Sequence, residues 1–170
     1  SFGSGGVGSS SHLAVALFQS LAGVRFNHIP YKGAGPALGE VIAGQIGFMI
    51  ATSPGALPHV KSGRLRAIGV SSSTRAASLP DVPTIAESGL PGYQFDSWFG
   101  FLGPAAVPAE QANRIHAAVS KLLKDPVILE RLDKQGIEPR DLSNADFGKL
   151  LAADYVRMAQ VVKASGAKID

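Results

Sequence analysis

Helical and extended patterns alternate along the first 72 residues, and this alternation constrains the fold more than any other feature. The helical segments are SHLAVALFQSLAG, PALGEVIAGQ and SPGALPHVKSGR, and the short apolar segments between them are VRFNHIPY, IGFMIAT and LRAIGVSS. Strands that are separated by helices are most simply joined as a parallel sheet with helices packed on it. The pattern therefore predicts an α/β fold with a mainly parallel sheet.

The rest of the chain has a different organisation. Residues 71–98 are rich in proline and show little periodicity, which predicts a long surface connection. A further strand is predicted over 98–105, in WFGFLGPA. Apolar residues at helical spacing then predict helices over 108–125 and 126–136, and a last helix over 145–166 with Ser143 or Asn144 as its cap.

A loop rich in glycine and serine, GSGGVGSSSH, precedes the first helix. Glycine allows the backbone to approach a ligand closely, and serine is a preferred cap at the start of a helix. The free N–H groups and the dipole at a helix start favour an anion. The loop is therefore either an anion-binding cradle or an ordinary flexible loop with a serine cap. The cradle residues would be Gly6, Gly8, Ser9, Ser10 and Ser11.

Charge is distributed unevenly between the two halves of the chain. Residues 1–80 contain six basic side chains and one acidic side chain, Glu40, whereas residues 81–170 have a net charge of −2. A front half with almost no carboxylates suits a small anionic ligand and does not suit a carboxylate-bound metal. The basic residues are scattered among few aromatic residues, so no nucleic-acid partner is expected. Cysteine is absent, which excludes thiolate metal sites and disulfides.

Two enzyme classes share single features with this loop. Residues 3–8 match the G-x-G-x-x-G pattern of dinucleotide-binding proteins, but they lack a preceding strand and an acidic residue about 20 positions further on. A serine hydrolase would need one of Ser9, Ser10 and Ser11 with His12, His28 or His59, and an acid to orient the histidine. The G-x-S-x-G elbow is absent, and Glu40 is the only acid in this half. No catalytic residue, metal or cofactor is therefore expected.

Several blocks of the sequence carry a family resemblance that covers essentially the whole chain in order. They are GSGGVGSSSHLAVALFQSLAGVRFNHIPYKGAGPALGEVIAGQI, LPHVKSGRLRAIGVSS, LPDVPTIAESGLPGY, SWFGFLGPAAVP and VVKASGAKID. The chain resembles the Bug/TctC family of periplasmic solute-binding proteins, the receptors of tripartite tricarboxylate transporters. The resemblance implies a two-domain, clam-like α/β fold similar to type II periplasmic binding proteins. It also implies a periplasmic, non-enzymatic receptor that passes a small carboxylate to membrane transporter subunits.

The resemblance also implies two groups of ligand-binding residues. The first lies in the glycine-rich loop and comprises Ser4, Gly6, Gly8, Ser9 and Ser10. The second, Ala51, Thr52 and Ser53, lies at the end of the predicted strand IGFMIAT, and its alternative role is a plain strand-to-helix turn. The side chain of Ala51 forms no hydrogen bond, so a carboxylate ligand with an uncharged or weakly polar distal end is expected. Lys32, Tyr31 and Trp98 are expected to serve the surface or the packing rather than the ligand.

By the same resemblance, the chain holds most of domain two in residues 1–94 and the returning segment of domain one in residues 95–170. The remainder of the family's length is then absent, by natural truncation or by cleavage. The helices 109–124 and 143–165 carry apolar stripes that would be left uncovered, which predicts association with another chain. Two alternative functions stay open at this point: a Ser/His-dependent hydrolase, and a ligand-sensing adaptor without a role in transport.

Overall fold

The structure is a computed structural model that describes residues 1–165. The end of the predicted last helix, Gly166, and residues 167–170 lie outside the described residues. The elements, in chain order, are β1 (Phe2–Ser4), α1 (Ser10–Ala22), β2 (His28–Pro30), α2 (Ala34–Ile42), α3 (Ser53–Lys61), α4 (Ala109–Leu122), α5 (Pro126–Lys134) and α6 (Asn144–Ser165).

Strand β1 lies at the centre of the first half of the chain. It pairs in parallel with β2, with Phe2 opposite His28 and Ser4 opposite Pro30, and α1 forms the connection between them. Phe2 also forms a parallel bridge to Phe48, and the N–H of Gly3 donates to the carbonyl of Phe48 at 3.0 Å. The parallel arrangement that the alternating sequence predicts is thus confirmed for these segments.

All four predicted strands are shorter than expected or missing. The segment 24–31 forms a strand only over His28–Pro30. The segment 46–52 contributes only the bridge at Phe48, and the segment 65–72 contributes only a bridge between Val70 and Thr84. No strand forms over 98–105 within the described part of the chain. Phe99 and Phe101 are 77% and 79% exposed, and no described strand pairs with this segment, although Phe147 of α6 lies against Gly100. An apolar, extended sequence needs such a partner before it becomes a strand.

Local signals fix the helix ends. The Ser9 side chain accepts from the N–H of His12 at the start of α1, and Gly23 ends that helix in the left-handed conformation with φ of 65°. Asp125 caps α5 by accepting from the N–H groups of the next turn. The Ser143 hydroxyl accepts from the N–H of Asp146, which identifies Ser143 as the cap of α6. Each of these ends follows from residues within a few positions. Ser143 was predicted as a cap, whereas Asp125 was predicted as the last residue of the preceding helix.

One apolar cluster joins the two ends of the chain. Helix α1 packs against α6, and the buried residues Leu13, Ala14, Tyr93, Phe95 and Val161 form a single cluster between them. The Tyr93 hydroxyl donates to the carbonyl of Ala14 at 3.0 Å in the interior. The predicted domain boundary between residues 94 and 95 passes through this cluster, and the division into 1–94 and 95–170 stays a prediction. Among residues 1–165, no helix is both long and apolar enough to cross a membrane.

Candidate functional site

The segment between β1 and α1, residues 4–9, is called the glycine loop below. Ser4 is fully buried at its start, with 0% of its surface exposed. Its hydroxyl accepts the N–H of Gly6 at 3.1 Å and lies 2.6 Å from Nε2 of His28. The Ser9 hydroxyl donates to the carbonyl of Gly6 at 2.7 Å, and the Ser11 hydroxyl accepts the N–H of Gly5 at 3.0 Å. Most polar groups of the glycine loop are therefore used to fix its own shape.

Glycine is required by the backbone at two points in this loop. Gly6 has a φ of 123° and Gly8 a φ of 77°, a region that residues with a Cβ atom rarely adopt. The glycines therefore shape the loop.

The glycine loop is also joined to the turn that precedes α2. The N–H of Tyr31 donates to the carbonyl of Ser4 at 3.0 Å, and the N–H of Gly33 donates to the carbonyl of Gly5 at 3.2 Å. A Cβ atom on Gly5 would lie only 3.1 Å from the backbone nitrogen of Ala34. The motif PYKG thus contacts the loop through its backbone. Its Lys32 side chain is exposed and forms no ion pair within residues 1–165.

Behind the loop lie two stacked rings, His12 and His28, called the imidazole pair below. Their centroids are 4.2 Å apart with an interplanar angle of 5°, and Phe2 stacks on His28 at 4.7 Å. The N–H of Gly8 donates to Nδ1 of His12 at 3.1 Å. Burial lowers the pKa of both histidines, and the nearby His12 lowers the pKa of His28 further. The pair is therefore kept neutral near pH 7.

A cavity of about 300 Å³ lies next to the start of α1. Ser10 and Thr52, one from each predicted group of ligand-binding residues, both line it. Within residues 1–165, neither of these two hydroxyls has a hydrogen-bond partner. Helix α1 begins at Ser10, and Thr52 is the N-cap of α3, so two helix N-termini reach one cavity. The remaining lining residues are Leu13, Phe95, Asp96, Ser97, Trp98, Phe99, Asp154 and Met158.

The other predicted site residues do not line this cavity. Gly6, Gly8 and Ser9 shape the glycine loop, and the buried Ser4 supports it from below. Ala51 and Ser53 are half-buried on either side of Thr52. The structure thus brings one residue from each predicted group to the cavity, and the role of the others in binding stays a prediction.

The wall opposite includes acidic residues that the sequence analysis did not single out. The Trp98 indole N–H donates to Asp154 at 2.6 Å, and Arg157 pairs with the same carboxylate at 2.7 Å. Burial raises the pKa of Asp154, but these two hydrogen bonds outweigh it and hold the pKa below its usual value. Asp96 accepts from the side chain of Gln94 at 2.6 Å. The i,i+3 spacing of Asp154 and Arg157 on α6 is a local signal, whereas the contact with Trp98 has none.

The arrangement lacks what a serine hydrolase requires. Within residues 1–165, no carboxylate forms a hydrogen bond or ion pair with His12, His28 or His59. The Ser4–His28 contact joins a fully buried hydroxyl to a half-buried ring, and neither residue lines the cavity. The carboxylate–histidine contact that the described residues do contain joins Asp141 to His116 of α4 at 3.6 Å. Over the same residues, no three His, Cys, Asp or Glu side chains cluster in a way that would hold a metal ion.

Comparison with known proteins identifies the family. The model of the tripartite tricarboxylate transporter family receptor matches residues 1–167. A protein described as "UPF0065 protein in tcbD-tcbE intergenic region", from Pseudomonas sp. strain P51, is 39% identical over 81% of this chain and 41% of its own length. The chain spans about half the length of most of the curated relatives it matches.

Two solved structures show that the fold is shared. R. palustris Rpa4515 with adipate superposes with a TM-score of 0.91 at 31% identity, over 98% of this chain and 56% of that protein. MatC (Rpa3494) from Rhodopseudomonas palustris with bound malate gives a TM-score of 0.83 at 32% identity, over 91% of this chain and 54% of that protein. The described residues therefore have the α/β architecture of periplasmic binding proteins. The chain belongs to the family of tripartite tricarboxylate transporter receptors.

Proposed function

We propose that this chain carries part of the ligand-binding site of an extracytoplasmic receptor for a small organic anion that bears a carboxylate. The receptor delivers this anion to the membrane subunits of a tripartite tricarboxylate-type transporter. The observation that carries the proposal is the convergence of Ser10 and Thr52, with the N-termini of α1 and α3, on one cavity. Membership of the receptor family supports both the periplasmic location and the transporter partner.

The chemistry of the cavity favours a carboxylate at this end. The first N–H groups of a helix have no partner within the helix, and the dipole adds roughly half a positive charge at each N-terminus. Two such ends with two free hydroxyls supply hydrogen-bond donors on this side of the cavity, which suits the acceptor-only character of a carboxylate, whereas the acceptors Asp96 and Asp154 lie on the opposite wall. The relatives that contain adipate and malate hold ligands of this chemical class.

The rest of the ligand is expected to be uncharged or weakly polar. Ala51 next to Thr52 has no polar side-chain atom, and the opposite wall combines Trp98 and Phe99 with the carboxylates of Asp96 and Asp154. Asp154 is already paired with Arg157, so it offers little net charge to an ammonium group. A hydroxyl or an alkyl chain fits this wall better than a second charged group.

The proposal is tested by titrating the chain with adipate, malate and hexanoate while the amide NMR signals of residues 10 and 52 are followed. Hexylamine and glucose serve as ligands without a carboxylate, and ε-aminocaproate tests a distal ammonium. We expect the carboxylates to shift both signals, with ε-aminocaproate binding more weakly than hexanoate. Shifts caused by hexylamine or glucose, and not by the carboxylates, would overturn the proposal.

Matched variants separate the contribution of the two hydroxyls to binding from general effects of substitution. Ser10→Ala and Thr52→Val should each weaken binding of the carboxylates by about tenfold, because each removes a hydrogen bond to a charged acceptor. Ser20→Ala on α1 and Thr74→Val remove exposed hydroxyls outside the cavity and should leave binding unchanged. Equal losses in all four variants would show that Ser10 and Thr52 are not contacts.

A further inference from the structure

The imidazole pair is placed to control the glycine loop although neither ring lines the cavity. His12 holds the loop at Gly8, because its Nδ1 accepts that N–H at 3.1 Å. His28 holds the loop through Ser4, whose hydroxyl accepts the N–H of Gly6. The two residues of the loop with positive φ are therefore the two that the pair restrains.

The hydrogen bond at Gly8 fixes the protonation state of His12. A backbone N–H always donates, so Nδ1 must carry a lone pair, and the ring is neutral with its proton on Nε2. A proton added to Nδ1 would turn it into a donor that faces the N–H of Gly8. The contact would then change from attraction to repulsion, and the end of the loop next to α1 would lose its restraint.

Because the two rings are stacked, protonation of one ring disfavours protonation of the other. The rings are parallel and 4.2 Å apart, and Phe2 packs on the outer face of His28, so an imidazolium would lie against apolar or neutral rings. A buried charge without a counter-ion is strongly disfavoured. A positive charge on one ring also opposes a second charge on the other at this distance.

Other charged groups around the pair are few. Helix α1, the strands β1 and β2, and residues 46–49 carry no charged side chain apart from the two histidines. Glu40 lies on α2, which packs on β1. Within residues 1–165, none of the charged groups forms a hydrogen bond or ion pair with either ring. On α6, which packs on α1, the charged residues are Asp146, Lys149, Asp154, Arg157 and Lys163.

We propose that His12 and His28 are positioning residues of the glycine loop, and that the neutral pair holds the loop in its binding shape whereas protonation releases it. The effect on the loop follows from the contacts above, and the effect on ligand affinity rests on the proposed function. Acidic conditions should therefore loosen residues 4–9 and weaken carboxylate binding, although neither histidine touches the ligand.

The lowered pKa of both rings sets the pH window. In the folded chain each histidine titrates below its usual value of 6.5, so the pair stays neutral at pH 7 and charges only as the pH falls below 6.5. Release of the loop is thus expected with a midpoint on the acidic side of 6.5.

The first test uses the unmodified chain and no ligand. NMR spectra recorded between about pH 8 and about pH 5 follow the ring signals of the histidines and the amide proton of Gly8. We expect the Gly8 amide to shift with the same midpoint as the His12 ring, and that midpoint to lie below 6.5. A Gly8 amide that stays constant while His12 titrates would overturn the proposal, as would a His12 midpoint at or above 6.5.

Two substitutions of His12 separate positioning from simple packing. Asparagine places an oxygen acceptor where Nδ1 lies, so His12→Asn should keep carboxylate affinity within about threefold and abolish its pH dependence, whereas His12→Leu should lose about tenfold. His116→Asn on α4 is the matched control and should keep the pH dependence of the unmodified chain. Equal affinity in His12→Asn and His12→Leu would contradict the proposal.

Failure of the proposed function gives a different result. If adipate, malate and hexanoate do not bind at any pH, the receptor proposal fails, but the coupled titration of Gly8 and His12 is still observed. If the carboxylates bind with the same affinity on both sides of pH 6.5 while the His12 ring charges, the loop-positioning proposal fails and the receptor proposal stands.

Discussion

Replacement of Ser4 by alanine tests how much the buried support of the glycine loop contributes to the stability of the fold. The Ser4 side chain is small and fully buried, so Ser4→Ala changes little volume and removes one oxygen. Two groups lose their partner: Nε2 of His28, which lies 2.6 Å from that oxygen, and the N–H of Gly6, which donates to it at 3.1 Å. The substitution therefore isolates the hydrogen bonds from the packing.

The expected loss of stability follows from the two unpaired groups. A buried polar group without a partner costs about 1–3 kcal/mol, and both groups here retain partial access to solvent, so the lower part of that range applies to each. Ser4→Ala should then lower the free energy of unfolding by about 2–3 kcal/mol, which corresponds to a fall in Tm of roughly 4–12 °C for a chain of this length.

The assay is urea unfolding followed by circular dichroism, with thermal unfolding as a second measurement at the same protein concentration. Ser10→Ala is the control, because the Ser10 hydroxyl has no partner within the described residues, and it should change stability by less than about 0.5 kcal/mol. If Ser4→Ala also costs less than about 0.5 kcal/mol at an unchanged urea slope, the network around Ser4 does not stabilise the loop and the reasoning is refuted.

Three further predictions concern the core, the pH and the exposed apolar segment. Tyr93→Phe removes the buried hydrogen bond to α1 and should lower the free energy of unfolding by about 1 kcal/mol, measured by urea titration. An unchanged free energy of unfolding would show that this bond does not stabilise the fold. Because the pKa of both histidines is lowered in the folded chain, the neutral rings contribute fully to stability above pH 6.5, and this contribution is lost as the pH falls below 6.5. Chemical unfolding at a series of pH values measures the loss, and His12→Asn should flatten the dependence of stability on pH. The chain should self-associate as its concentration rises in sedimentation experiments, and the double variant Phe99→Ser, Phe101→Ser should shift it towards the monomer, whereas a variant that associates equally well would place the interface elsewhere.

Elements whose signals are local were predictable from the sequence. Helix α1 begins after Ser9 and ends at Gly23 because a cap and a left-handed glycine act over one turn. The strands were less predictable, because pairing depends on a partner that is remote in the chain. The segment 46–52 has the composition of a strand, but it pairs only at Phe48. The segment 98–105 also has the composition of a strand, but it forms none in the described structure because no described strand pairs with it.

In the candidate site, too, features with local signals were predictable and features that depend on remote residues were not. The residues of the glycine loop were found from glycine and serine spacing, but the burial of Ser4 and its contact with His28 depend on the parallel pairing of β1 and β2. Thr52 was placed in a different part of the ligand site from Ser10, and the structure brings both to one cavity. The contact between Trp98 and Asp154, which are 56 positions apart, depends on the packing of α6 against α1 and had no signal in the sequence.

The backbone contact between Gly5 and Gly33 connects the glycine loop to an exposed turn at the surface. Because the N–H of Gly33 is bonded to the carbonyl of Gly5, and the backbone of Ala34 leaves no room for a side chain there, the loop and the start of α2 must move together. A shift of the glycine loop would thus displace the turn that carries the exposed residue Lys32. A fluorophore attached at position 32 would therefore convert a movement of the glycine loop into an optical signal.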